Sequence, residues 1–260
     1  MDFLIKLDFT DLACALGMMA IAIGLSSWQK LGLEGQLAIA AVRTVVQLLG
    51  VGCILAVVFA SNNPWIVLGI LILLLTADAI VARNRISKKI PQLFPIVWGS
   101  IFISAALTLS YTIFLVIQPT TTWYDPQYLI PLAGSVLGNA MNAAALCGER
   151  LASTIAASQL EIETHLSLGA TPKSAIAQYR KEAIRAALIP TLNTMMVVGI
   201  VTLPEIITGQ LLSGTDPLQA AAYQIVIMIM VAFTSLSATL LVTQGLQRQF
   251  FNQNLQLKKF

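Results

Sequence analysis

The feature that most constrains the fold of this chain is a series of seven long apolar runs separated by short polar stretches. A helix needs about 20 apolar residues to cross the hydrocarbon core of a bilayer. Transmembrane β-strands are segments of about ten residues with alternating polarity, whereas these runs are longer and do not alternate. An all-α polytopic membrane protein with about seven transmembrane helices is therefore predicted. The predicted helices cover residues 10–28, 37–60, 64–82, 95–117, 128–148, 188–208 and 221–245.

The placement of charge predicts the orientation of these helices. Only 10% of the 260 residues are charged, against about 25% in soluble domains. All lysines and arginines except Lys6 and Arg43 fall after the first, third and fifth predicted helices or in the C-terminal tail. Cytoplasmic loops carry the excess of basic residues, so the N-terminus is predicted outside and the C-terminus in the cytoplasm. We expect one membrane domain over 1–260 in the cell (inner or plasma) membrane, with a long cytoplasmic segment at 149–187.

The cytoplasmic segment has the pattern of two helices joined by a turn. Gly169 is expected to end the first helix, Thr171 to cap the second, and Pro172 to occupy its first turn. In the second helix, small and apolar residues recur at three- and four-residue spacing and form one stripe. The stripe consists of Ala175, Ile176, Tyr179, Ala183, Ile184 and Ala187. An amphipathic helix on the membrane surface would also explain this stripe, but not the acidic Glu161 and Glu163.

Three stretches resemble a known family of transporters. ETHLSLGATP (163–172) is similar to the coupling loop of ABC transporter permeases, which reads E-A-A-x-x-x-G in importers; Glu163 and Gly169 match its spacing. NAAALCGERL (142–151) and LPEIITGQLLSGTDPLQAAAYQIVIM (203–228) extend the resemblance over most of the chain. Together they resemble the FetB/YbbM-like permeases, seven-helix proteins implicated in iron export, with plant relatives linked to aluminium tolerance.

The resemblance implies a partner that supplies energy. A permease of this kind forms a homodimer in the lipid bilayer and binds a separate ABC ATPase, which carries ATP and magnesium. The residues expected to couple to that ATPase are Glu161, Glu163, His165, Gly169, Thr171, Pro172 and Lys173. The sequence has no G-x-x-x-x-G-K-[ST] phosphate loop. We therefore expect no ATPase activity or other enzymatic activity, no cofactor in this chain and no nucleic-acid partner.

Polar residues within or beside the apolar runs are candidates for a transport path. They are Asn139, Asn142, Glu149, Glu205 and Gln210. A carboxylate and amides suit a hard cation such as iron, although no metal-ligand set can be identified. The alternatives are helix packing through hydrogen bonds for the asparagines and an interfacial position for Glu205.

Two charged residues are predicted to form an intramembrane ion pair. Arg43 and Asp78 each lie about 8–10 Å from the cytoplasmic ends of neighbouring predicted helices, at 1.5 Å per residue. Alternatively, Arg43 extends its guanidinium to the cytosol. A paired Arg43 and Asp78 would more simply stabilise the bundle than bind a substrate.

The predicted function is that of the membrane subunit of an ABC exporter for iron or a related metal species. The alternative is an ATP-independent secondary transporter or channel, which would need more intramembrane charge and inverted repeats. An intramembrane enzyme is disfavoured, because His165 falls in the cytoplasmic segment and no spacing of nucleophile and base is evident.

Overall fold

The computed structural model describes residues 8–61, 63–87, 90, 92–118, 125–252 and 256–258, which are almost entirely helical. This confirms the predicted all-α class. The helices are α1 (Phe9–Trp28), α2 (Glu34–Ser61), α3 (Pro64–Ile86), α4 (Leu93–Tyr111, continued by a π-helical turn at Thr112–Ile117), α5 (Pro126–Ala157), α6 (Gln159–Ser167), α7 (Pro172–Ala175), α8 (Ala177–Val197), α9 (Glu205–Leu212) and α10 (Pro217–Phe250).

Six helices in the described part of the chain are long and apolar enough to cross a membrane: α1, α2, α3, α4 with its π-helical turn, α5 and α10. The prediction of one continuous helix at 188–208 is wrong. α8 begins eleven residues earlier, at Ala177, and ends at Val197, and the separate helix α9 begins at Glu205. Gly199 between them has a φ of 81°, which glycine adopts without steric cost.

Aspartate and proline together define the starts of the two longest helices. Asp125 accepts a hydrogen bond from the Gln127 backbone, and Pro126 is the first residue of α5. Asp216 accepts hydrogen bonds from the backbone N–H groups of Leu218 and Gln219 at the start of α10. Side-chain oxygens satisfy free helical N–H groups, and proline lacks the N–H that is unpaired there anyway.

The described residues divide into two compact units. One contains α1 and α2 together with Gln210–Thr215. The other contains α3 to α8, most of α9, and α10, and it carries the residues discussed below. The prediction of a single domain over 1–260 is not tested by this division and stays a prediction.

Helix α5 lies at the centre of the larger unit, where it contacts α3, α4, α8 and α10. Its buried residues include Ala133, Ala140 and Ala144, whose small side chains let neighbouring helices approach closely. Hydroxyl groups add buried hydrogen bonds between helices: Thr234 on α10 donates to Thr108 on α4 over 2.7 Å. The result is a tightly packed bundle that can hold polar side chains in fixed positions.

The apolar stripe of the predicted cytoplasmic segment packs against this bundle. Ile176, Ala183 and Ala187 are buried, and Tyr179 and Ile184 are partly buried against the same core. Arg180 of α8 also donates a hydrogen bond from Nε to Thr243 Oγ1 on α10 over 2.9 Å. The stripe therefore attaches this segment to the protein itself.

Candidate transport site

A cavity of about 860 Å³, lined by both polar and apolar residues, lies in the larger unit between α3, α5, α8, α9 and α10 and the segment between α8 and α9. Ligand pockets typically measure about 300–1,000 Å³. The polar or charged residues that line it are Arg85, Ser135, Asn139, Asn142, Thr191, Asn193, Thr194, Thr202, Glu205 and Gln224. Three residues of the predicted transport path, Asn139, Asn142 and Glu205, thus lie around one cavity.

Helix α5 contributes a row of residues that extends along the cavity. Ser135, Asn139, Asn142 and Leu146 line it and follow one another at three- and four-residue spacing, which places them on one face. At 1.5 Å per residue this row is about 16 Å long, roughly half of the 30 Å hydrocarbon core of a bilayer. The Asn139 side chain donates a hydrogen bond from Nδ2 to the Ser135 carbonyl over 2.8 Å. The Asn139 Oδ1 atom therefore remains available as an acceptor.

The interruption between α8 and α9 forms part of the cavity wall. Thr202, Leu203 and Pro204 line the cavity, and the Gly199 N–H donates to the Thr202 carbonyl over 2.9 Å. Non-helical backbone at membrane depth is tolerated where it is buried in protein or lines a cavity. Interrupted helices also recur at the substrate sites of secondary transporters.

An ion pair lies where the large cavity meets a second one. Arg85 donates from Nε to Glu149 Oε2 over 3.0 Å, and Arg85 lines both the large cavity and a cavity of about 460 Å³ that Glu149, Gln159 and Lys258 also line. Both side chains are about half exposed (49% and 48%). An exposed pair of this kind adds no more than about 1 kcal/mol to stability, so its position is more informative than its strength.

The turn of the predicted coupling segment has the expected local structure. Gly169 adopts a φ of 90°, Thr171 accepts a hydrogen bond from the Ser174 backbone over 3.2 Å, and Pro172 is the first residue of α7. The predicted break, cap and proline position are therefore confirmed. The role of these residues in coupling stays a prediction.

One exposed leucine lies on α6 and a second directly follows it, while a buried isoleucine anchors the helix. Ile162 is fully buried, whereas Leu160 and Leu168 are 80% and 81% exposed. Five polar residues predicted to couple to an ATPase are also exposed: Glu161, Glu163, His165, Thr171 and Lys173. Pro172, from the same prediction, is partly buried. An exposed surface with apolar and polar residues side by side is typical of a helix that docks in a groove of a partner.

Tyr179 on α8 lies near Glu161 on α6. The Glu161 carboxylate raises the pKa of the Tyr179 phenol, with burial as a smaller cause. Glu161 itself is exposed, so its carboxylate remains accessible to a partner.

Other predicted site residues lie apart from this cavity. Gln210 is on α9 but does not line it. Arg43 is on α2 and Asp78 on α3, so they belong to different compact units. Their pairing stays a prediction.

Seven polar or charged residues of the cavity are not predicted as site residues by the sequence: Arg85, Ser135, Thr191, Asn193, Thr194, Thr202 and Gln224. Gln224 lies within the apolar run of α10, Asn193 in the last turns of α8, and Arg85 at the end of α3. A lone glutamine in an apolar run can be recognised in the sequence as a candidate site residue, since polar side chains in lipid need partners. The sequence predicts Arg85 only as one of the basic residues after the third apolar run.

No group of three or more His, Cys, Asp or Glu residues that could hold a metal ion occurs among the described residues. The cavity instead offers amides, hydroxyls and one carboxylate, Glu205, which has no ion pair within the described part of the chain. Such groups form hydrogen bonds to a solute readily but make a weak ligand set for a bare ion.

Comparison with known proteins identifies relatives over almost the whole chain. The model of an uncharacterised protein family, UPF0014, matches residues 9–251. The UPF0014 membrane protein slr1647 of Synechocystis sp. is 54% identical over 98% of both chains. The probable iron export permease protein FetB of Escherichia coli is 34% identical over 95% of this chain and 93% of its own. The protein ALUMINUM SENSITIVE 3 of Arabidopsis thaliana is 31% identical over 95% of this chain and 88% of its own. No solved structure matches.

Proposed function

The chain belongs to the UPF0014 family of multi-pass membrane permeases, and we propose that it is the membrane subunit of an ABC transporter that exports iron or a related metal species. The observation that carries the proposal is the cavity of about 860 Å³, whose wall includes a row of α5 residues about 16 Å long with two asparagines. The similarity to a probable iron export permease over 95% of the chain supports the choice of cargo.

The coupling segment supports a role for a separate ATPase. Leu160 on α6 and Leu168 directly after it are exposed, while Ile162 and Ile176 anchor the segment to the bundle. In the proposed mechanism, ATP and magnesium bind to the partner ATPase, whose closure moves α6 and α7. Because α8 continues from this segment to the cavity wall, the movement reaches the residues that surround the cargo.

The proposed orientation places the ends of α3 and α5 with Arg83, Arg85 and Arg150 in the cytoplasm. The Arg85–Glu149 pair then lies at the cytoplasmic end of the large cavity. Cargo enters beside this pair and leaves towards the side of Glu205. Alternating access follows if ATP binding favours one of two arrangements of the bundle.

Metal content of cells tests the proposed cargo. We expect cells that lack the chain to retain more iron after an iron load than cells that contain it. Cells that lack the partner ATPase should retain as much iron as cells that lack the chain. Aluminium, manganese and copper are measured in parallel to define the range of cargo. Export that continues without any ATPase would favour a secondary transporter instead, and unchanged content of all four metals would refute metal export.

A further inference from the structure

The smaller cavity of about 460 Å³ lies where α3, α5 and α10 end and α6 begins. Its polar and charged lining residues are Arg85, Ser87, Glu149, Ser153, Gln159 and Lys258. The other lining residues are apolar and include Ile86, Ile90, Phe250 and Leu257. Charged and apolar groups side by side suit an amphiphile, a molecule with a charged head and a hydrocarbon body.

The C-terminal segment forms one wall of this cavity and is fixed in place. Phe251 and Leu257 pair in an antiparallel bridge, and the Lys258 N–H donates to the Phe250 carbonyl over 2.8 Å. Phe250 and Phe251 are buried, and Leu257 packs against the same core. The backbone of Lys258 is therefore held at the cavity wall, while the residue itself stays exposed.

Two basic side chains of the cavity are available to an anion. Lys258 forms no ion pair with another described residue. Arg85 binds Glu149 through Nε, and within the described ranges no other hydrogen bond occupies its guanidinium. A guanidinium has five N–H donors, so Arg85 can hold Glu149 and an anion together. Glu149 is the one acidic residue that lines the cavity, and the two bases outweigh it.

The surroundings of the cavity also favour an anion. Arg83, Arg150 and Arg248 lie towards the same ends of α3, α5 and α10. The proposed orientation places these ends on the cytoplasmic side, at the level of the lipid headgroups. Anionic lipids give the cytoplasmic leaflet its negative surface potential, and basic pockets between membrane helices on that side bind their headgroups.

We propose that this cavity binds the phosphate group of an anionic phospholipid from the cytoplasmic leaflet. The phosphate oxygens accept hydrogen bonds from Lys258 Nζ and from the terminal nitrogens of Arg85, while the glycerol and the first part of an acyl chain lie along Ile86 and Leu257. A free phosphate would use the basic groups alone and leave the apolar wall uncovered. The inference goes beyond the proposed function and depends on the proposed orientation, not on the cargo.

Binding of lipids to the purified full-length chain, measured as apparent Kd by native mass spectrometry, tests the inference. The probes are short-chain phosphatidylglycerol, phosphatidylcholine with the same acyl chains, and glycerol phosphate, which has no acyl chain. We expect phosphatidylglycerol to bind more tightly than the other two. Lys258→Gln should weaken its binding roughly tenfold, since a hydrogen bond between charged groups is lost, whereas Lys258→Arg should preserve it.

Lys181→Gln is the matched control, because Lys181 is an exposed lysine of α8 that does not line this cavity. Equal binding of phosphatidylcholine would overturn the inference, because the site would then not recognise negative charge. Glycerol phosphate that binds as tightly as the lipid would assign the cavity to a free phosphate and overturn the choice of a lipid. Unchanged binding by Lys258→Gln, or an equal loss in Lys181→Gln, would also contradict the site. Iron export is measured separately in cells, so failure here leaves the proposed function intact.

Discussion

Gly245 on α10 shows how closely single residues bring the helices of the larger unit together. A Cβ atom at this position would overlap Ile96 Cγ2 on α4. The γ2 carbon is attached directly to Cβ of isoleucine, so it cannot move aside without a shift of the whole side chain or helix. Gly245 is therefore expected to be required for the contact between α4 and α10.

Replacement of Gly245 by alanine should destabilise the protein. Overpacking of this kind lowers the free energy of unfolding by about 1–3 kcal/mol. The higher helix propensity of alanine offsets up to about 1 kcal/mol of this loss. Thermal unfolding in detergent should show a lowered midpoint. Gly69→Ala on α3 is the control, because a Cβ there meets no atom within 4 Å; an equal loss of stability in both variants would contradict the packing argument.

The sequence allows two roles for the asparagines of α5: packing between helices, or lining a transport path. Asn139 donates to Ser135 on its own helix, and both Asn139 and Asn142 are exposed within the cavity wall. A packing role would place these amides in hydrogen bonds between helices. Both line the cavity, and their role in a transport path stays a proposal.

At the scale of elements, the interrupted helix between α8 and α9 is where the sequence-based prediction failed. Residues 198–204 read VGIVTLP, which is apolar, so hydropathy alone gives no sign of a break. Only Gly199 and Pro204 indicate one, and the left-handed backbone of Gly199 is needed to end α8 there. Hydrophobic content predicts that a segment is buried, but backbone geometry decides whether it is continuous.

Other elements were predictable because their determinants are local. The break at Gly169, the Thr171 cap and the prolines that start α3, α5 and α10 depend only on neighbouring residues. The cavity depends on residues distant in sequence, such as Asn139 and Gln224. Their polarity could be noted from the sequence, whereas their arrangement around one cavity follows from the packing of α5, α8 and α10.

The exposed face of α6 carries a prediction about assembly. The double substitution of Leu160 and Leu168 by aspartate should abolish co-purification with the partner ATPase, because two leucines that are about 80% exposed would lose their apolar contacts with the groove. The fold should remain intact, since neither leucine belongs to the buried core.

Leu218→Asp provides the comparison for this variant. Leu218 is also 81% exposed, but it lies at the start of α10, which the proposed orientation places on the outer side. This variant should retain the ATPase. Retention of the ATPase by the double variant, or its loss in both, would contradict docking through α6.

In the larger unit, the proposed coupling segment and the cavity share one helix. Helix α8 belongs to both: its first turns pack as the apolar stripe, and its last turns line the cavity up to Val197. A movement of α6 and α7 therefore has a continuous helix through which to act. In the proposed mechanism, ATP hydrolysis on one chain moves a metal species through another.

ATP-dependent accumulation of radiolabelled iron by inside-out membrane vesicles tests this requirement most directly. The vesicles contain the chain and its partner ATPase, and iron is supplied as ferric citrate and as aqueous ferrous iron. The account predicts accumulation that requires ATP, this chain and the phosphate-loop lysine of the ATPase. Accumulation at the same rate without ATP, or ATP hydrolysis with no movement of either form of iron, would contradict it.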